Sequence, residues 1–345
     1  MSRGFEELHD ELRSVAGDLL AKDRSVGWHV LVEAGWTGLE VPESAAGAGA
    51  SFREVAVVLD EMGRAATQSA YLGSGVLTVG ALNSLQPNAA RDAMLKDVGT
   101  GAVRAAVALS GFAVESSSSG MRLIGRSEFV LDADGADMIL VLANAADVPV
   151  IVSVPGQSAG LSVNPQPVLD QTRRLCVVGA DGVSVDESSV WRFDGSPEAR
   201  VRGLFDRASV AVACDSLGLA EAMLSATVAY AGVRHQFGRP IGSFQAVKHA
   251  CADMLVRISV ARQLVRAAVD AIAGDAPDTT TAASMAKSYA CAAAVDVVVK
   301  AMQLHGGIGY TWESGVHVYL KRAAFNRSLF GSPATHRKQL ARRYL

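Results

Sequence analysis

Hydrophobic positions recur every three or four residues over most of this chain and change to short alternating runs in one middle stretch. Phe5, Leu8, Leu12, Val15 and Leu19 trace one face of a helix. The run Trp28-His29-Val30-Leu31-Val32-Glu33-Ala34-Gly35-Trp36 predicts a helix that stops at glycine. The Ala- and Gly-rich stretch 42–51 reads as a loop. A further helix is expected from Phe52 to about Ala65, with Val55, Val58, Leu59 and Met62 on its inner face. Residues 1–111 are therefore read as an N-terminal helical domain.

The character changes near Ser110. Met121 to Leu131 alternates in part, and Met138 to Leu142 and Val148 to Val154 are short β-type runs. Pro155, Pro165 and Pro167 and several turn pairs punctuate them. Residues 112–197 are expected to form a small β-domain. From about Pro197 the helical spacing returns, with one helix over Ala208 to Val233, one from Ile241 to about Ala273 and one over Thr279 to His305. Ala, Val and Leu at spacings of three and four bury each of these on several sides, as in a bundle. Residues 198–345 are read as that bundle, and the fold class as α+β, mainly α.

Composition narrows the picture. Half of the 345 residues are hydrophobic and only 6% aromatic, so the core is built from small aliphatic side chains. A net charge of −3 argues against a general nucleic-acid binder. The absence of an uncharged apolar stretch of membrane-spanning length argues against a transmembrane segment. Met1 to Asp10 is charged and lacks the apolar centre of a signal peptide. Cys176, Cys214, Cys251 and Cys291 are scattered and read as reduced, mostly buried thiols, which together with the N-terminus predicts a cytoplasmic protein.

Two segments well apart in the chain carry chemistry. Arg234-His235-Gln236-Phe237-Gly238-Arg239-Pro240-Ile241-Gly242-Ser243-Phe244-Gln245 offers a guanidinium for a pyrophosphate, an amide, and a ring for an adenine face. Gln303-Leu304-His305-Gly306-Gly307-Ile308-Gly309-Tyr310 offers a glycine-rich break after a helix, where backbone N–H groups approach phosphate oxygens. Both halves are expected on helical segments. His235, His249, His305, His317 and His336 lack metal-ligand spacing. Ser116 to Ser119 is a turn outside any nucleophile-elbow context. Asp206-Arg207 reads as a helix start, and Arg337, Lys338, Arg342 and Arg343 as a basic C-terminus, either a solvated tail or a phosphate contact at an interface.

The paired segments resemble the flavin grip of the acyl-CoA dehydrogenase family, and the order helical domain, β-domain, helical bundle is that family's order. Gly35-Trp36-Thr37-Gly38-Leu39-Glu40-Val41-Pro42-Glu43 resembles its N-terminal segment, and Thr311-Trp312-Glu313 and Phe330 to Arg337 resemble a bacterial sub-branch. The chain is shorter than typical members, mainly in the β-domain. The resemblance implies FAD as cofactor, with Arg234, Gln236, Phe237, Gln245, Gln303, Gly306, Gly307 and Gly309 at its ADP part. It implies α,β-dehydrogenation of an acyl-CoA and electron transfer to an electron-transfer flavoprotein.

The departures are specific. The family's Thr-Glu-Pro-x-x-Gly-Ser-Asp segment is replaced by Ala108 to Val114. Its Trp-Ile/Phe-Thr turn is replaced by Phe129-Val130-Leu131-Asp132, where Phe129 can serve as an apolar wall and Leu131 cannot donate a hydroxyl. The catalytic Glu is absent from both usual positions, which hold Gly331 and Ala208. Three readings stay open. This chain is the base-less subunit of a heteromer with a second acyl-CoA dehydrogenase-like chain, an arrangement met in actinobacterial enzymes acting on steroid side chains. It is a homo-oligomer using a recruited carboxylate such as Asp215. Or it is a structural subunit without flavin. Arg173 or Arg174 meets a CoA phosphate, a neighbouring subunit or solvent.

Overall fold

The computed structural model describes residues 2–118 and 120–342, with side chains from Leu8 onward. The expectations for the Phe5 side chain, Ser119 and Arg343 lie outside the described residues. In chain order the helices are α1 (Ser2–Leu20), α2 (Trp28–Glu33), α3 (Phe52–Arg64), α4 (Thr78–Asn83), α5 (Ala89–Gly99), α6 (Pro197–Val233), α7 (Gln245–Ala273), α8 (Thr279–His305), α9 (Val316–Ser328) and α10 (Pro333–Ala341). The strands are β1 (Ala105–Ser117), β2 (Gly120–Leu131), β3 (Met138–Ala145), β4 (Val148–Pro155), β5 (Leu161–Gln166), β6 (Leu175–Val185), β7 (Val190–Arg192), β8 (His235–Gln236) and β9 (Arg239–Pro240). The chain divides into two compact units, one of Met1–Arg24, Phe52–Thr67 and Ala208–Leu345, the other of Ser25–Ser51 and Gln68–Arg207.

The first unit is helical. α8 packs against α7, α9 and α10, and α3 against α1 and α7. α3 meets α6 through reciprocal glycines. A Cβ on Gly63 would fall 2.1 Å from the Asp215 carbonyl oxygen, and one on Gly218 would fall 1.9 Å from that of Asp60. Bare backbone at both positions is what lets the helices approach so closely. One polar pair sits in this core. Arg322 and Asp215 are both essentially fully buried, with Nε and Nη2 of the guanidinium donating to the two carboxylate oxygens at 2.7–2.9 Å. Arg322 Nη1 donates to the Thr67 carbonyl.

The second unit is built on a sheet of order β5-β6-β2-β1-β3-β4-β7. Neighbours are antiparallel except β1 and β3, which run parallel in register from Ala105–Met138 to Val114–Ala145 around a bulge. Val, Ile, Leu and Ala from the inner face form its core, with Phe112, Leu123, Ile139 and Val152 at the centre.

Three expectations need correction. The sheet begins at Ala105, inside the segment read as helical, because the Ala-rich opening of β1 carries no β-branched signal of its own beyond Val107. α6 begins at Pro197 instead of Ala208: Ser196 accepts from the Ala199 N–H and Pro197 occupies the first turn, which is a helix start. Asp206 and Arg207 are therefore buried residues inside a helix, and Arg207 pairs with Glu40 while its Nε donates to the Val76 carbonyl at 3.0 Å. The helix expected from Ile241 starts at Gln245, because Ile241–Ser243 is a 3₁₀ turn and Phe244 is extended. Two described segments, Pro197–Val233 and Thr279–Tyr310, are long and apolar enough to span a membrane by length and hydropathy alone. Within the fold 78% and 61% of their apolar windows are buried, which marks them as core helices.

Candidate functional site

The first motif is not helical. α6 ends at Val233, and the chain turns through a two-stranded hairpin in which His235 pairs with Pro240 and Gln236 with Arg239. Phe237 (φ +53°) and Gly238 (φ +77°) form its two-residue tip, the left-handed pair that a tight right-twisted hairpin requires. A phenylalanine there is a costly choice, and its ring is 91% exposed. It meets Phe244 edge-on at 6.1 Å, and Arg239 stacks over Phe244 at 4.2 Å. The hairpin thus holds an aromatic face out to solvent.

The second motif closes α8. Gly306 has φ +61°, and a Cβ built on Gly306 or Gly307 would meet nothing within 4 Å. Gly309 differs: it is buried, and a Cβ there would lie 2.5 Å from the Met302 carbonyl. Its role is to let the turn fold back on α8.

The two motifs converge on one open cleft of about 360 Å³, lined by Tyr230, Arg234 and Gln236 with Ile241, and by Leu304 to Ile308. Of the eight expected flavin contacts, the cleft gathers Arg234, Gln236, Gly306 and Gly307. Phe237 and Gln245 stand exposed outside its lining, and Gln303 accepts from Lys300 Nζ at 3.0 Å. Arg234 makes no side-chain hydrogen bond or ion pair among the described residues. An uncommitted guanidinium opposite open, bare glycine backbone suits a pyrophosphate, and Phe237 suits an adenine face. Tyr230, stacked on His305 at 4.6 Å and 18°, was not singled out in the sequence. Tyr230 stands four residues before Arg234, one helical turn away, which is the one signal that could have found it.

The usual base positions hold no carboxylate. Ala208 is fully buried in α6. Gly331 has φ +100°, its carbonyl accepts from Lys287 Nζ at 2.9 Å, and a Cβ there would lie 2.9 Å from His336 Nε2. Asp215 is 1% exposed and has both oxygens on Arg322. In the sheet unit, Phe129 adopts φ +59°, is half exposed, and donates its N–H to Gln166 Oε1 at 3.1 Å. Leu131 is buried. Asp132 accepts from the Gly73 N–H at 2.9 Å, and burial pushes its pKa up to about 6 against the pull of Arg173. Arg173 is itself buried, which leaves Arg174 as the exposed member of that pair. Among the described residues no three His, Cys, Asp or Glu side chains converge as a metal site would require.

Residues 6–102 match the family model "Acyl-CoA dehydrogenase, N-terminal domain" and residues 199–345 the model "Acyl-CoA dehydrogenase, C-terminal domain". The acyl-CoA dehydrogenase IpdE2 of Mycolicibacterium smegmatis is 33% identical over 318 residues, covering 91% of this chain and 86% of that one. A variant of the Tcur3481-Tcur3483 steroid ACAD superposes with a TM-score of 0.87 at 27% identity, covering 98% of this chain and 97% of that one. The ChsE4-ChsE5 complex from Mycobacterium tuberculosis contains a chain of the same fold, with a TM-score of 0.87 at 23% identity over 97% of this chain and 96% of that one.

Proposed function

Because the chain belongs to the acyl-CoA dehydrogenase family of oxidoreductases, we propose that it serves FAD-dependent α,β-dehydrogenation of an acyl-CoA thioester as the base-less subunit of a heteromeric enzyme. The observation that carries this reading is a contrast within one chain. A glycine-walled cleft keeps an uncommitted arginine, while both base positions hold residues that cannot transfer a proton, Gly331 and Ala208.

In this reading Arg234, Gln236 and the Gly306–Gly307 backbone hold the pyrophosphate, and Phe237 covers the adenine. Gln245 and Gln303 belong to the same grip, and Gly309 shapes the turn. FAD, when bound, supplies the hydride acceptor for Cβ. The residues of this chain bind and orient. The Cα proton goes to a carboxylate of a second acyl-CoA dehydrogenase-like chain, whose desolvation raises its pKa toward neutrality. A bulky acyl group, such as a steroid side-chain thioester, is proposed on the likeness to the steroid ACAD. An electron-transfer flavoprotein takes the electrons, and the enzyme works in the cytoplasm.

A self-sufficient homo-oligomer would need another base. Asp215 serves that reading poorly, since it is buried and committed to Arg322. A structural subunit without flavin would have no use for the exposed Phe237 and the open Gly306–Gly307 backbone.

The test is purification with and without the candidate partner, followed by the visible spectrum and the mass of the complex. A yellow complex only on co-expression, with about one flavin per pair of unlike chains, supports the reading. A yellow homo-oligomer active alone, or colourless protein in both preparations, refutes it.

A further inference from the structure

We infer that the Tyr230 hydroxyl is a flavin ligand, donating to the FAD pyrophosphate beside Arg234. This rests on reading the cleft as the ADP site and adds to it a side chain outside the expected flavin set.

Tyr230 stands in the last turn of α6 and lines the cleft together with Arg234. The Arg234 N–H donates to the Tyr230 carbonyl at 2.9 Å. The helical turn therefore carries on to the arginine and sets both side chains on one face. The other wall of the cleft is the end of α8 with its glycine turn, Leu304 to Ile308. A stack joins the two walls, the Tyr230 ring lying against the His305 ring at 4.6 Å and 18°. His305 is itself held, because its Nδ1 lies 2.7 Å from the Ala301 carbonyl one turn back on α8. The phenol ring is thus fixed by its neighbours, and its hydroxyl is the part left to be satisfied.

The other hydroxyls near the cleft are spent on backbone. Ser243 donates to the Pro240 carbonyl at 2.7 Å, Thr311 to that of Ile308 at 2.9 Å, and Ser314 to that of Thr311 at 3.0 Å. Tyr310 is 72% exposed and stands outside the lining. Tyr230 differs from all of these. It is half-buried, it lines the cleft, and among the described residues its hydroxyl has no hydrogen-bond partner. For the stack alone a phenylalanine would serve. A phenol donates one hydrogen, and an ionised oxygen is its strongest acceptor. No carboxylate lines the cleft, so that acceptor arrives with the ligand. A pyrophosphate carries ionised oxygens over a short span, which suits donors coming from both walls at once.

The plainer role of Tyr230 is packing, with its hydroxyl in water. Tyr230→Phe separates the two roles, because it keeps the ring and its stack and removes the hydroxyl alone. The experiment uses the complex of this chain with its partner, freed of flavin and titrated with FAD and, separately, with ADP. Expected for Tyr230→Phe is an unchanged melting temperature of the flavin-free complex and a dissociation constant about tenfold higher for both ligands. An unchanged affinity for FAD overturns the inference and leaves the hydroxyl to water. A loss for FAD with none for ADP also overturns it, since the hydroxyl would then meet the flavin beyond the pyrophosphate. Arg234→Ala tells this failure from failure of the cleft reading. If Arg234→Ala weakens FAD and Tyr230→Phe does not, the cleft stands and the inference falls. If neither substitution changes the affinity, or the wild-type complex takes up no flavin, the reading of the cleft as the ADP site falls and the inference with it.

Discussion

The cleft end and the base end of this chain both rest on glycine, for opposite reasons. At Gly306 and Gly307 the missing side chain leaves open space, nothing lying within 4 Å of where a Cβ would be. At Gly331 the missing side chain is already crowded out, with φ +100° and His336 Nε2 2.9 Å from a Cβ. Two basic residues lock that second loop. Lys287 Nζ donates to the carbonyls of Asn326 and Gly331 at 2.8 and 2.9 Å, and His336 Nε2 lies 3.0 Å from the Phe330 carbonyl. Burial lowers the pKa of both. Glycine in the cleft is room for a ligand, whereas Gly331 belongs to a closed turn. The missing carboxylate is therefore not one substitution away.

The largest effect tests whether any carboxylate in this core is free for chemistry. Asp215→Ala leaves Arg322 charged and buried, and should cost about 3–5 kcal/mol, seen as a collapse of the melting temperature. A stable variant that loses only dehydrogenation would make Asp215 catalytic and break the comparison. Next, Gly331→Glu should destabilise by about 1–3 kcal/mol from the left-handed backbone and the His336 contact, and confer no activity on the lone chain. Proton abstraction by that variant would mean the loop can accept a base after all. Third, Gly307→Leu fills open space, so its melting temperature should hold while FAD affinity drops about tenfold or more. Equal affinity would place the flavin elsewhere.

Legibility followed the same divide. Long helices with Ala, Val and Leu at regular spacing, such as α8 over Thr279–His305, were readable because periodicity alone specifies them. α6 was started too late because its opening turns are polar, although Ser196-Pro197 marked the true start. The paired motifs were read as sets of residue types, but the stretch from His235 to Pro240 was placed on helix and is a hairpin with a left-handed Phe237. Only the backbone shows that Gly309 packs against Met302 while Gly307 faces open space. The Arg322–Asp215 pair is invisible in sequence, because the partners are brought together by tertiary packing across more than a hundred intervening residues.

The smallest effect concerns a carboxylate that a search for a base would select. Asp132 has a pKa pushed up to about 6, and a perturbed buried acid is often functional. Its geometry argues otherwise, because Oδ2 accepts from the Gly73 N–H at 2.9 Å and the residue is buried. With the folded-state value above the ordinary 3.8, its contribution to stability is complete below about 3.8 and is lost as pH rises through about 6. Above that, the ionised group burdens the fold. Asp132→Asn keeps an acceptor for Gly73 and removes the charge, so it should be more stable than wild type at pH 8 by about 1 kcal/mol, with the gain vanishing near pH 4. Thermal melts at the two pH values measure this. A variant less stable at pH 8 would mean that the field of Arg173, Arg104 and Arg174 outweighs desolvation, and Asp132 would then be a structural anion paired like Asp215. In either case the acid is spent on folding.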